Sequence, residues 1–531
     1  MLDGQVQVYL PLSALGIYLH AVFISITFGF PVAIAMLLWK YHKSGEPLYL
    51  DAAKLMTSVL MVNFALGAVT GTLVEFGLVQ IWPGTIFAIA TSAFTPLTLE
   101  LIAFIMEIVL LVLFYVTLGK IRPVVSIGAL AAYAAFAYLS GVLIMAVNSW
   151  MQAPWGTGPV AKELYPFLPE YGPLAADVQK LVAVKALALV GAAQGVPVST
   201  ILQMPGISEK LGEVFSDPWV ALTNPYAWPS ALHNITAGVI IGLAIGAAGW
   251  AYRYWRTKDE KYLKIFKAVI PPLVILMLIQ PTVFGHFMGE AVVEYNPTKF
   301  ALMEGAAATY YNPIVALVAY GDPNKPIVGF DQFYKQCNQL GSTTVGDLLK
   351  QVGVDLNTVV QSLGLSGQLK LSQAASLLDV KLADVCKADL QKAEAKMELV
   401  HYAYYTKIAG GVVAFAAALV LLFSAWIRVP GLTPLAEKIM SIFGPRERAL
   451  FVLTLIVLIG AALAAALGWA VREVGRKPWT VYGLLYPEEV VTPVPATPGF
   501  LAFAYLVILA VGIGGLVAMY IVATRRLLVR K

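Results

Sequence analysis

The stretch TPLTLELIAFIMEIVLLVLF, Thr95 to Phe114, is apolar enough to cross a bilayer, yet it carries Glu100 and Glu107. Acids that persist in hydrocarbon pair with cations, ligate metal or relay protons. The two are about two helical turns apart, so both carboxyl groups lie on one face, one above the other. A buried carboxyl with raised proton affinity can be neutral in transit and still exchange protons. Glu75 lies in a second apolar run, GAVTGTLVEFGLVQIW, and Glu473 in GWAVREVGRKPWTVYG beside Arg472, Arg476 and Lys477. That last group reads either as an interfacial charge cluster anchored by Trp479 or as a basic cradle for an anionic group.

The chain has five histidines. His20 lies well inside the first apolar run, in SALGIYLHAVFISITFGF. His233 lies at the outer end of the fifth, in NPYAWPSALHNITAGVIIG. An intramembrane imidazole needs a partner. It is either hydrogen-bonded to a neighbouring helix or bound, neutral, to a metal or haem iron. His42 sits among lysines and reads as solvated.

The elements that must hold these residues follow from composition. Of 531 residues, 59% are hydrophobic and 13% charged. A soluble protein could not cover that much apolar surface, so the chain is expected to be a multi-pass, all-α membrane protein. Nine runs are long enough to span: Leu12–Leu38, Leu55–Val79, Thr95–Leu118, Val124–Val147, Leu232–Tyr252, Phe266–Phe284, Ile408–Ile427, Leu450–Val471 and Phe500–Ala523. Loops after the odd-numbered spans carry the basic residues, among them Lys40, Lys120, Arg253 and Arg428. The short loop between the second and third has no Lys or Arg. The positive-inside rule then puts the N-terminus outside and the C-terminus inside. The net charge of +5 reports topology and gives no reason to expect nucleic acid. The N-terminal stretch MLDGQVQVYLPLSALG lacks a basic n-region and a small-residue cleavage site, so the first span is expected to direct insertion itself.

Three units result: residues 1–284 with six spans and a long outer loop at 148–230, an outer segment at 285–406, and three spans in 407–531. Val178 to Met204 is apolar, but Lys180, Lys185 and Gln194 favour a helix lying on the outer membrane surface. The 285–406 segment has apolar residues recurring at three and four, which predicts small amphipathic helices. It holds both cysteines, Cys337 and Cys386. Outside the membrane a disulfide between them is favoured over two free thiols.

Several motifs together resemble subunit I of the cytochrome bd quinol oxidases. GWAVREVGRKPW resembles the family's Gly-Arg-x-Pro-Trp run after a haem-ligating glutamate. YLHAVF resembles its first-helix histidine, GAVTGTLVEFGLVQIW its second-helix motif, and TPLTLELIAFIME its third-helix glutamate pair. VNSWMQAPWG, NPYAWPSALHNITAG and NPTKFALMEG are similar to further landmarks, in the right order along nearly the whole chain.

The resemblance implies a haem-binding bundle. His20 and Glu473 would ligate two high-spin haems, one b and one d (or a further b), with either assignment open. His233 would ligate a low-spin haem b, and Arg476 and Trp479 would help hold a haem. Lys299 and Glu304 would bind quinol, and Glu75, Glu100 and Glu107 would serve the proton path. It further implies oxygen as acceptor, a second membrane subunit as partner, and the cell membrane as location.

Four departures stand out. The seventh-helix methionine expected opposite His233 is replaced by Ile408 or Ala409. His401 is the best substitute on ligand chemistry, with Lys407 and Met397 nearby, and a five-coordinate haem is the alternative. The glutamate spacing in the third span is one residue short, which suggests a bulge or shifted register there. An N-terminal arginine is replaced by Tyr9 and Leu10, and the Asn148–His233 stretch is long. Other readings are an oxidase of this fold fed by another donor such as a cytochrome c, a non-catalytic scaffold paralogue, and a proton-coupled transporter. The last would show inverted repeats, and none is visible.

Overall fold

The computed structural model describes residues 2–92, 94–175, 182, 185, 219–351, 353, 355 and 378–528. Among them are nine helices long and apolar enough to span: Gly4–Ser44, Pro47–Ile81, Phe94–Thr117, Pro123–Gln152, Ala227–Thr257, Glu260–Tyr295, Met397–Ala425, Arg446–Val474 and Pro498–Thr524. They are called the first to ninth spans below. The described residues hold only isolated β-bridges and no strand. The surface helix expected over 178–204 falls outside the described residues except for Val182 and Lys185, and most of 352–377 does so too.

Local signals place the helix ends. Proline opens the second, fourth and ninth spans, where its missing N–H costs nothing. The fifth span stops at Lys258 in the left-handed conformation, and Asp259 accepts from the Lys261 amide to start the sixth. Inside the sixth, Gln280–Phe284 forms a π-helical turn containing Pro281. The third span, by contrast, is an uninterrupted α-helix over Phe94–Thr117. Of the bulge or shifted register expected from its short glutamate spacing, the bulge is therefore not there. The helical rise continues the sixth span to Tyr295 and starts the seventh at Met397, so the segment between them is 296–396, shorter than its sequence suggested.

Two apolar cores alternate with chain direction. One gathers Tyr9, Ile81, Trp150, Tyr226, Val292 and Val471 with the connecting segments, at what is called here the loop end. The other gathers Leu38, Tyr49, Phe114, Tyr254, Leu263 and Ala449 at the opposite end. Cys337 and Cys386 are joined by a disulfide inside the loop-end core, both fully buried, with Cα atoms 5.7 Å apart.

Two close helix crossings fix the level of the histidines. A Cβ on Gly29 would lie 2.5 Å from the Leu243 amide nitrogen, so the parallel first and fifth spans touch backbone to backbone at Gly29 and Gly242. His20 and His233 each precede that crossing by nine residues, which puts both imidazoles about 14 Å above it, at one depth. The seventh and eighth spans cross in the same way, where a Cβ on Gly460 would meet the Gly410 carbonyl at 2.7 Å.

Candidate functional site

His20 projects from the first span against the second. Its Nδ1 lies 3.0 Å from Thr70 Oγ1. The Thr70 hydroxyl hydrogen is taken by the Leu66 and Gly67 carbonyls at 3.0 Å each, so Thr70 accepts from His20 and Nδ1 carries the proton. That tautomer leaves the Nε2 lone pair free for a metal. Gly71 makes room for the ring, since a Cβ there would sit 3.0 Å from His20 Cε1.

His233 is held from the sixth span. Gln280 Nε2 lies 3.2 Å from its Nδ1 and donates to its carbonyl at 2.9 Å. The π-helical turn begins at Gln280, so the irregular backbone is next to the imidazole it positions. The Gln280 amide nitrogen can only donate, so Nδ1 accepts and the neutral ring carries its proton on Nε2, which iron binding there would shift to Nδ1.

Glu473 ends the eighth span in a dense polar knot. Arg476 Nη2 donates to its Oε2 at 2.5 Å, and Asn148 and Gln152 approach its Oε1 at 3.3 and 3.4 Å. Arg472 turns toward protein partners: Asn148 Oδ1 at 2.5 Å, Ser230 Oγ at 2.7 Å and Ser149 Oγ at 3.3 Å. Ser230 is three residues before His233, so Arg472 ties the Glu473 and His233 neighbourhoods together. Arg476 is 3% exposed, yet among the described residues its Nε and Nη1 have no partner. A buried guanidinium with two idle donors beside the Glu473 carboxylate, together with the free His20 Nε2, fits an iron porphyrin with its anionic propionates.

Lys299 is not on the surface. It is 1% exposed and donates to Gln152 Oε1 and, at 2.9 Å, to Asn296 Oδ1. Burial pushes its ammonium well below the usual lysine range, Arg472 and Arg476 push the same way, and Glu473 opposes. Gly475 lets it pass, since a Cβ there would lie 2.8 Å from Lys299 Cγ. Glu304 sits elsewhere, accepting from Tyr405 Oη at 2.9 Å. Burial raises its pKa, against the Tyr405 hydrogen bond and the nearby His401. His401 belongs to this second group. Its Nδ1 lies 2.8 Å from the Met303 carbonyl and its ring packs on Tyr405 at 4.8 Å. The structure thus sets Lys299 apart from Glu304 and joins His401 to Glu304.

Trp479 is fully buried in the loop-end core, donating to Tyr165 Oη at 3.3 Å and packing on Tyr482. Its contacts are with protein. Glu100 and Glu107 face the fourth span as their spacing predicts. Ser140 donates to Glu100 at 2.9 Å and lies within reach of Glu107, which is 4% exposed. Electrostatic coupling links Glu75 to Glu100 and Glu100 to Glu107, a row running from the His20 level toward the opposite end. Among the described residues no cluster of three or more His, Cys, Asp or Glu could hold a bare metal ion.

The sequence profile described as cytochrome bd terminal oxidase subunit I matches residues 12–529. The chain belongs to that family. Its members are membrane-bound oxidoreductases of the respiratory chain, and this chain is a multi-pass membrane protein of the same kind. It is 22% identical over 496 residues to the cytochrome bd ubiquinol oxidase subunit 1 of Bacillus subtilis (strain 168), covering 92% of this chain and 86% of that one. It is 23% identical over 310 residues to the putative cytochrome bd menaquinol oxidase subunit I of the same organism, covering 58% and 59%. The match thus spans under two thirds of that second relative. The bd oxidase structure from Geobacillus thermodenitrificans superposes with a TM-score of 0.66 at 18% identity, over 98% of both chains, and shares the fold.

Several residues around these side chains were not assigned roles from the sequence. Thr70, Asn148 and Gln152 sit inside motifs already quoted, so their place beside His20, Glu473 and Lys299 had a signal. Gln280, Ser140 and Tyr405 had none, because each acts through a contact across helices.

Proposed function

We propose that the chain is the haem-carrying subunit of a quinol:oxygen oxidoreductase. The observation that carries this reading is the pair of oriented imidazoles at one depth, with the partly idle Arg476 beside Glu473. His20, His233 and Glu473 would hold the haems, and Arg476 would bind a propionate. Bound haem would supply one-electron transfer and the reduction of oxygen to water.

Glu304, with Tyr405 and His401 beside it, would accept protons from a quinol at the loop end, and the buried Lys299 would contribute from the Glu473 side, where it holds Gln152 and Asn296. Glu107, Glu100 and Glu75 would pass protons from the opposite end toward His20. The basic loops lie at that opposite end, which supports its being cytoplasmic. The broad apolar faces of the third and ninth spans, such as Ile105, Val109, Leu506 and Ile513, would meet lipid and the second membrane subunit.

The test is haem content. A reduced-minus-oxidised spectrum with haem extraction is expected to show b-type bands and a chlorin band, or b-type bands alone if haem d is replaced. His20→Ala and His233→Ala should each lose one haem per complex. A complex with no haem, or variants that keep all of theirs, would sink the reading.

A pH effect follows at Glu304. A proton acceptor must be ionised, and the raised pKa of Glu304 places its ionisation above the usual carboxylate range. Quinol oxidation should therefore slow as pH falls through that value. Glu304→Gln should lower the rate and remove this acidic limb. A Gln variant that is slow but keeps the limb would assign the titration to another group.

A further inference from the structure

Lys407 lies in the membrane-spanning part of the seventh span, and among the described residues no hydrogen bond, ion pair or ring contact to it is seen. A cation there normally pairs or lines a functional cavity. Its side chain runs along the eighth span, where a Cβ on Gly468 would lie 3.5 Å from both Cε and Nζ. Gly468 is one turn before Arg472, whose guanidinium is bound to Ser230, three residues before His233. Lys407 is within electrostatic reach of His233. The fifth and seventh spans both pack extensively on the eighth but barely touch each other. Lys407 thus lies against Gly468 on the eighth span, with His233 on the fifth span within its electrostatic reach.

His401, the alternative nitrogen on this helix, is turned to Met303 and Tyr405 and so stands on the Glu304 side. Ile408 and Ala409 carry no donor atom. An unprotonated lysine amine is a nitrogen donor comparable to imidazole, and its four-carbon stem lets it reach past its own helix.

We propose that Lys407 Nζ is the second axial ligand of the iron held by His233, giving a histidine–lysine low-spin haem. The inference rests on the reading of His233 as a haem ligand. On binding, the ammonium releases its proton to water at the loop end, and the nitrogen lone pair forms the iron bond. No electron is exchanged in that step.

The experiment uses the purified complex and three variants, Lys407→Ala, Lys407→Arg and Lys407→Met. Each is examined by extracted haem content, carbon monoxide stoichiometry and near-infrared magnetic circular dichroism of the oxidised form. Ligation predicts unchanged haem content in all three. Lys407→Ala and Lys407→Arg should lose the low-spin signal and bind one further equivalent of carbon monoxide, because an arginine keeps the charge but cannot deprotonate to ligate. Lys407→Met should restore a low-spin haem with its charge-transfer band moved to the longer wavelength of a nitrogen–thioether pair. A low-spin signal retained in Lys407→Ala would overturn the proposal. So would one retained in Lys407→Arg, which would make Lys407 a charge partner of a propionate. Failure of the underlying reading looks different: His233→Ala would keep its full haem content.

Discussion

Glu107→Gln is expected to cut quinol-driven oxygen consumption by about a hundredfold or more while leaving haem content and quinol reduction of the haems unchanged. General acid–base groups typically contribute factors of about 10² to 10⁴, and a carboxyl in a single proton file has no parallel route to dilute its loss. Glu107 is nearly inaccessible, faces the fourth span and is coupled to Glu100 through space and through Ser140. Glutamine preserves the shape and the hydrogen-bonding capacity toward Ser140 but cannot carry a proton. The competing explanation is a neutral carboxyl retained only to bond Ser140. It predicts that Gln works nearly as well as Glu and that Ser140→Ala is the damaging change. Oxygen-electrode rates for Glu107→Gln and Ser140→Ala, with stopped-flow reduction of the haems by quinol, separate the two. If Glu107→Gln respires at the wild-type rate, protons reach the site by another path and the row from Glu107 to Glu75 is structural.

How much of this was legible in the sequence differs by the kind of contact involved. The spans could be read because apolar length is a property of contiguous residues, and all nine appear among the described helices. Their ends could not, because helix continues past the apolar run. Polar residues such as His286 and His401 remain helical beyond the hydrocarbon length, which shortened the 285–406 segment to 296–396. The Glu100–Glu107 face was legible from helical spacing alone. The partition between Lys299 and Glu304 was not, although they are only five residues apart. Their short helix, Pro297–Glu304, ends at Gly305 with φ 65°, and its two ends meet different neighbours. Lys299 finds Gln152 on the fourth span, and Glu304 finds Tyr405 on the seventh. Nothing local encodes which distant helix a side chain will meet. The same holds for His401 and Lys407, less than two turns apart on one helix, where ligand chemistry favoured the histidine and the fold turns it away.

The two arginines at the end of the eighth span should fail in opposite ways when removed. Arg472→Leu is expected to destabilise the protein by about 3–5 kcal/mol, the usual cost of stripping one partner from a buried charged network. Its guanidinium satisfies Asn148, Ser230 and Ser149, and without it those buried polar groups face an apolar side chain. The loss should appear as a lower thermal midpoint with haem content near normal in the protein that survives. Arg476 is differently placed, because among the described residues only its Nη2 is used, on Glu473, while Nε and Nη1 are idle. Leucine there removes a guanidinium with one protein partner instead of three, so the fold should tolerate it better than the loss of Arg472. It also leaves Glu473 without its nearest counter-charge and a haem without a propionate anchor, so haem at this site should bind more weakly and be lost on dilution or detergent washing. Differential scanning fluorimetry and haem-to-protein ratios on the same samples give both quantities. Equal thermal loss in the two variants, with haem retained in both, would show that Arg476 is spent on the fold alone and would remove it from the cofactor site.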